Sequence, residues 1–489
     1  MKHLPCDILS FVIPAQAGIH ERLLLQQRSL DSRLRGNDEG KVVLRQQAGS
    51  ATRRTSLSRL LVKTLAALIA LAYPLLAPAQ DFLPPSERVR DAIAAYAEVR
   101  AAGAALTQAR EDARALAAGP HDTQLSAAPL RRRVSADPGI PSGRTRYNEW
   151  ELQVSRTLRL PGKAALDEQS GAHAVAAAGF RQGDAQHQAA RRLLAAWMSW
   201  LRAEGVAAAA QARSDSLLRE HASLTRRLEL GDASRRDLDQ LDAALASAQA
   251  ELRQAQSDVQ AQRLTLASDF PQIPVPAQPP DLPAPAPLAG AAEDWIERIV
   301  AQNHELGILQ ETAAQYEAQA RRAEAERKPD PTIGLRTFSE RGGAERGLGV
   351  VLTIPLGGER RDAHARSQFA AAEAASLQAQ AMRRDVTRDA RLAVTRAQLT
   401  LSLWQAARQA REAHAASLAR QRRAWELGEI GLAERLQSER LAADAALTEQ
   451  RARAEAHESL LRVQVDGHTL WDWDEAEGAH RKTPAATAD

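Results

Sequence analysis

The side chains best suited to chemistry in this 489-residue chain are twelve histidines, one cysteine and 61 aspartates and glutamates. Their spacing sets up no reaction. His364, His414 and His457 fall in helical stretches without a partner one turn away, so no metal-ligand set is expected. His457 beside Glu458 reads as a surface pair. Ser, His and Asp occur without a nucleophile-elbow pattern, and the glycines form no phosphate loop. Cys6 is the one cysteine; beyond it the chain has no disulfide, thiolate or lipid-anchoring thiol. The expectation is no enzyme, no cofactor and no bound metal.

What the spacing does offer is two short charged clusters, each opening on a glycine. One is Leu230-Gly231-Asp232 with Arg235, Arg236 and Asp237; the other is Leu427-Gly428-Glu429 with Glu434 and Arg435. Glycine supplies the left-handed backbone that a tight helix reversal needs. The charges either cap and solvate a hairpin or pair with another chain. Pro161-Gly162 and Gly357-Gly358 mark two further breaks, where strand passes to helix.

Proline placement shows which elements carry these breaks. None occurs in residues 86–119, 162–270, 288–328 or 356–483, whereas prolines cluster in 120–161, 271–287 and 329–355. The chain is one plan written twice. TLRLPGK (157–163) matches TIPLGGE (353–359) at an offset of 196. LELGDASRRDL (228–238) matches WELGEIGLAER (425–435) at 197, and Pro120 and Thr123 match Pro329 and Thr332 at 209. The organisation is therefore a leader (1–79), a first helix–hairpin–helix repeat (80–270), a Pro-rich linker (271–287), a second repeat (288–470) and a disordered tail (471–489). Trp471 and Trp473 are expected to pack the chain end against the helices.

The proline-free arms predict long antiparallel coiled-coil helices. Leu238, Leu241, Leu245, Ala248, Leu252, Ala255, Val259, Gln262 and Leu266 follow a 3-4 spacing, which is a coiled-coil seam. Residues 162–228 would form a rod of about 100 Å at about 1.5 Å per residue. The proline-bounded middles read as strands. Trp150, Leu152, Val154 and Leu158 alternate with Glu151, Gln153, Ser155 and Thr157, and Leu348, Val350, Leu352 and Ile354 alternate with Gly349, Val351 and Thr353. Ile333, Leu335 and Thr337 begin a partner strand, and another is expected within 123–134. Arg156 interrupts the apolar face. SERGGAER (339–346) reads as an exposed hairpin loop. The fold class is mainly α with a small β part: two β-hairpins, four strands in all. Four strands close no barrel and an open edge does not survive in lipid, so strands in a membrane require a homo-oligomer sharing one barrel.

Eleven of the 64 Lys/Arg but five of the 61 Asp/Glu precede Gln80, leaving 53 basic and 56 acidic residues after it. The basicity belongs to the leader, and nucleic-acid binding loses its support. Arg53, Arg54, Arg59 and Lys63 precede an apolar run (65–76) and an Ala77-Pro78-Ala79 cleavage pattern, so residues 53–79 read as a signal peptide. The run FVIPAQAGIH…DSRLRGNDE resembles a translated intergenic repeat, which places the expected start downstream of Met1.

The duplicated LPGK/LGGE helix starts and LGD/LGE turns, in this order, resemble the TolC-like outer-membrane efflux proteins over most of residues 84–471. KPDPTIGLRTFSERGG…GVVLTIPLGGERR (328–361) is most similar to the branch serving cobalt-zinc-cadmium-type heavy-metal pumps. LPGK stands where a double glycine is usual. The resemblance implies a trimer in the outer membrane of a Gram-negative bacterium, extending into the periplasm. It implies a passive exit duct for metal cations or small toxic compounds, docked on a periplasmic adaptor and an inner-membrane pump of the resistance-nodulation-division type. It also implies that Gly231, Asp232, Arg235, Arg236, Asp237, Gly428, Glu429, Glu434 and Arg435 form the periplasmic tip that meets the adaptor and opens. The exit duct of a type I protein secretion system, and a periplasmic coiled-coil scaffold with no pore, are the alternatives.

Overall fold

A computed structural model describes residues 82–135 and 145–471. The leader, and the tail with Trp473, lie outside these residues. The element order is α1 (Ser86–Ala95), α2 (Ala97–Ala118), β1 (Gln124–Val134), β2 (Thr145–Thr157), α3 (Lys163–Glu229) and α4 (Arg235–Asp269). Then follow α5 (Ala292–Ala301), α6 (His304–Ala325), β3 (Thr332–Glu340), β4 (Glu345–Thr353), α7 (Glu359–Glu426) and α8 (Leu432–Asp466). The doubling is metrical. Helix lengths run 10, 22, 67 and 35 residues in the first half and 10, 22, 68 and 35 in the second. At about 1.5 Å per residue, α3 and α7 are each about 100 Å long. No helix among the described residues is long and apolar enough to cross a membrane.

The rods form because alanine and straight-chain residues fill them and proline is absent. Each long helix folds back on its successor, α3 on α4 and α7 on α8, while α3 also packs on α2, α6 and α8. The expected seam along α4 faces inward. Leu238, Leu241, Ala248, Ala255, Val259 and Leu266 are buried, and Leu245, Leu252 and Gln262 are partly buried. Because the rods are thin, the apolar core is divided along them. One cluster gathers Val89, Ile93, Leu193, Trp197, Trp200, Leu266, Phe270 and Trp471. A second sits near the helix reversals around Leu217, Leu224, Leu241 and Leu432. A third joins Ile299 to Val394, Leu460 and Val463. Trp471 thus packs as expected.

The linker is strapped to the helices. Ile273 is buried, Val275 and Leu282 pack on the first cluster, and side chains from both hairpins hold its carbonyls. Arg263 donates to Pro276 O at 2.9 Å and Arg453 to Leu282 O at 3.3 Å. His457 Nε2 donates to Pro283 O at 2.8 Å. This corrects the surface-pair reading of His457: its side chain is buried, with its ring edge-on to Phe82 at 4.9 Å. Burial lowers its pKa, the Pro283 carbonyl opposes that, and Arg453 adds to the lowering.

The four strands form one antiparallel sheet in the order β1-β2-β3-β4, so the two halves meet through β2 and β3. The turn between β3 and β4 is tighter than the sequence suggested. Ser339 and Glu340 pair with Arg346 and Glu345, leaving a 3₁₀ turn at Arg341–Gly343. Its two glycines have φ of 67° and 100°, values that let the chain reverse in so few residues.

Candidate functional site

The register sorts the sheet's side chains into two faces. Leu125, Val154, Leu335 and Val350 stand in one row across all four strands. Ala127, Leu152, Thr337 and Leu348 form the next, and Arg156, Ile333 and Leu352 flank them on the other side. The opposite face carries Gln124, Ser155, Gly334 and Val351, then Ser126, Gln153, Arg336 and Gly349. Arg336 donates to Glu151 there at 2.8 Å. Gly347 leaves space for the Phe338 ring, which a Cβ would meet at 2.4 Å. The apolar face is bare: Leu348 is 79% exposed, Val350 72% and Leu125 69%. A contiguous apolar surface of this kind calls for a partner or a lipid phase. Among the described residues no strand pairs with the outer edge of β1 or β4. Strands of 9 to 13 residues match or exceed the length that spans a bilayer when tilted.

Beneath the sheet, the sequence pointed to Pro161-Gly162 and Gly357-Gly358, and both lie at the passage into a rod. They are not equivalent. Gly162 caps α3 at φ 86°, whereas Gly358 caps α7 in fully extended backbone. The side chains that fasten this level went unnoticed in the sequence. Lys163, 2% exposed, places Nζ 2.8 Å from Asp330 Oδ1 and 3.4 Å from Glu326, and donates to Lys328 O at 2.7 Å. Leu160 N–H also donates to Asp330, at 2.9 Å. Asp167 receives Arg159 and Arg322, each at 2.8 Å, and Arg361 reaches Glu326 at 3.1 Å. Burial pushes the Asp330 carboxyl up, but Lys163 and the Leu160 N–H outweigh it and leave the pKa lowered. The start of each rod is therefore ionically tied to the segment leading into β3.

At the far end of the rods, Gly231 and Gly428 adopt φ of 79° and 77°. The same bonds close both turns: Asp232 N–H to Arg227 O at 2.7 Å and Glu429 N–H to Ala424 O at 2.9 Å. Ser234 and Asp237 form a capping box at the start of α4. Asp237 is thus a capping residue. Asp232, Arg235, Arg236, Glu429 and Glu434 are exposed, and Arg235 pairs with Asp239 at 3.1 Å. Arg435 is different. It is buried, bonded to Glu220 at 2.8 Å and Glu439 at 3.4 Å. Its guanidinium lies 4.7 Å from the centre of the Trp425 ring, which Arg227 approaches at 5.1 Å. Arg435 locks the second hairpin onto the first, and no charge of its own is left at the surface.

One cluster lay outside every expectation from spacing. His187, His304 and His468 come from α3, the start of α6 and the turn after α8, and their ring nitrogens lie within 4.8 Å of one another. His187 Nε2 also bonds Asp466 Oδ1 at 3.2 Å. Burial lowers the His187 pKa against the opposing Asp466. Asp466 itself, despite burial, is held well below the usual carboxylate range by His187, Arg191 and Arg462.

No family model and no curated protein sequence matches the chain. Solved structures are. The outer-membrane channel OprN superposes with a TM-score of 0.68 at 18% identity, covering 80% of this chain and 92% of that one. The CmeC outer membrane channel of Campylobacter jejuni gives 0.65 at 14%, with 82% and 90% covered. The outer membrane protein VceC of Vibrio cholerae gives 0.63 at 19%, with 77% and 95% covered. At these identities the likeness establishes the fold: a mainly α chain of long helical hairpins with a small four-stranded sheet.

Proposed function

We propose that this chain is a subunit of an outer-membrane efflux duct, assembling as a homotrimer whose pooled strands close a barrel and whose helices continue it into the periplasm. The observation that carries this reading is the sheet, with one bare apolar face and two open edges above rods of about 100 Å. In lipid, open edges must be closed by sister copies. The polar face with Gln153, Arg336 and Glu151 then lines water. The chain catalyses no reaction; an inner-membrane pump of the resistance-nodulation-division type supplies the energy. The cargo is a metal cation or small toxic compound, passing without tight binding. The helix reversals meet the periplasmic adaptor through Asp232, Arg235, Arg236, Glu429 and Glu434, which stand exposed around Gly231 and Gly428.

The test is conductance of the purified protein in a planar bilayer, paired with membrane fractionation. Stepwise channels and recovery with the outer membrane are expected. A non-conducting periplasmic species would make the chain a coiled-coil scaffold instead. Growth of a deletion strain on zinc, cobalt, copper and common drugs identifies the cargo.

A further inference from the structure

We propose that His187, His304 and His468 bind one divalent transition-metal ion of the zinc, cobalt, nickel or copper class, which clips together three segments remote in the sequence. This site is independent of the duct and its cargo. Three imidazoles with an open fourth position are a donor set such ions favour. Tetrahedral ligation at metal–imidazole bond lengths sets nitrogens about 3.4 Å apart. The three rings already bring theirs within 4.8 Å, so small side-chain rotations complete the set.

The surroundings are built around these rings. Ring centres are 5.9 Å apart for His187 and His304, 5.3 Å for His187 and His468, and 5.0 Å for His304 and His468. Gly183 makes room for His304: a Cβ there would stand 2.6 Å from Cε1 and 2.8 Å from Nδ1. His468 holds a left-handed φ of 53° in the turn that ends α8, a conformation found preferentially where function or local bonding over-determines it. Asp466 accepts the Nε2–H of His187, so Nδ1 is the nitrogen His187 would offer. A carboxylate on the far nitrogen is the usual support of a ligating histidine. Arg191 and Arg462 donate to the same Asp466 oxygen at 2.7 and 3.2 Å and hold the carboxylate in place against the ring. Asp466, which bonds His187, and Asn303, which precedes His304, line a neighbouring cleft of about 620 Å³ together with Arg191.

The experiment uses tag-free full-length protein in detergent, stripped with chelator and titrated with Co²⁺, then with Zn²⁺ in competition. The expected result is about one ion per chain, imidazole-type visible bands, and a rise in melting temperature with metal concentration. His304→Gln and His468→Asn should each weaken binding at least tenfold. Asn tolerates the left-handed backbone at 468, so that variant folds. Gly183→Ala keeps all three ligands and favours helix, yet should weaken binding similarly by displacing His304. His414→Gln, outside the cluster, should leave affinity unchanged. No stoichiometric binding, or unchanged affinity in His304→Gln, His468→Asn and Gly183→Ala, overturns the proposal whatever the conductance shows.

Discussion

Lys163 shows how much of this molecule rests on single buried charges. Its ammonium is satisfied by Asp330, Glu326 and the Lys328 carbonyl. Lys163→Met strips the buried Asp330 of its ammonium partner, leaving only His121 at 3.6 Å and the more distant Arg322, which should cost up to about 3–5 kcal/mol. Removing both charges with Lys163→Met and Asp330→Asn should recover part of that loss. Thermal denaturation of the single and double variants measures both. His457 gives a pH signature. Its pKa is lowered in the fold by burial, so the unfolded chain takes up the proton first. Its contribution to stability is complete above the ordinary histidine value of 6.5 and is lost as pH falls below it. Melting temperature should drop from pH 7 to pH 5, and His457→Gln, which keeps an N–H for Pro283, should flatten the drop. Neither role is legible locally. LPGK and KPDP are visible as motifs, but Lys163 and Asp330 stand 167 positions apart. The three histidines also stand more than a hundred positions apart, so a search for ligands one turn apart passes over them.

At the scale of elements, the sequence is more candid. Alternation foretold which strand residues share a face, and the expected rod at 162–228 lies within a residue of α3, whereas the proline-free stretches 86–119 and 288–328 each break into two helices at Tyr96 and at Gln302–Asn303. The seam along α4 was readable because its 3-4 spacing is intrinsic to one helix. The β3–β4 turn was overestimated because charged residues such as Glu340, Glu345 and Arg346 pair in the ladder beyond the apolar rows. The two glycine junctions looked alike and differ in backbone. Gly162→Ala should cost about 1–2 kcal/mol because of its left-handed φ. Gly358→Ala, in extended backbone with open space around it, should stay within about 0.5 kcal/mol. Paired denaturation curves decide this. On the proposed reading, Leu335→Arg puts a charge in the middle of the bare apolar row at about 2–4 kcal/mol. It should abolish outer-membrane recovery, whereas Ser155→Lys on the polar face should not.

For the whole molecule, the proposed duct predicts a mass three times that of one subunit by light scattering in detergent; a monomer would break the closed-barrel argument. Duplication was the strongest signal in the sequence because it accumulates over hundreds of residues and no single substitution erases it. The near-identity of the paired lengths, 67 with 68 and 35 with 35, has its own implication. Two rods that start from one plane and must finish in one plane act as matched rulers, each checking the other. Seven residues inserted into both arms of one hairpin alone would set its reversal about 10 Å out of level with its neighbour. Arg435 would then slide past Glu220, and Trp425 past Arg227. Growth or shrinkage of this protein along its axis is therefore open only to changes made twice, in step.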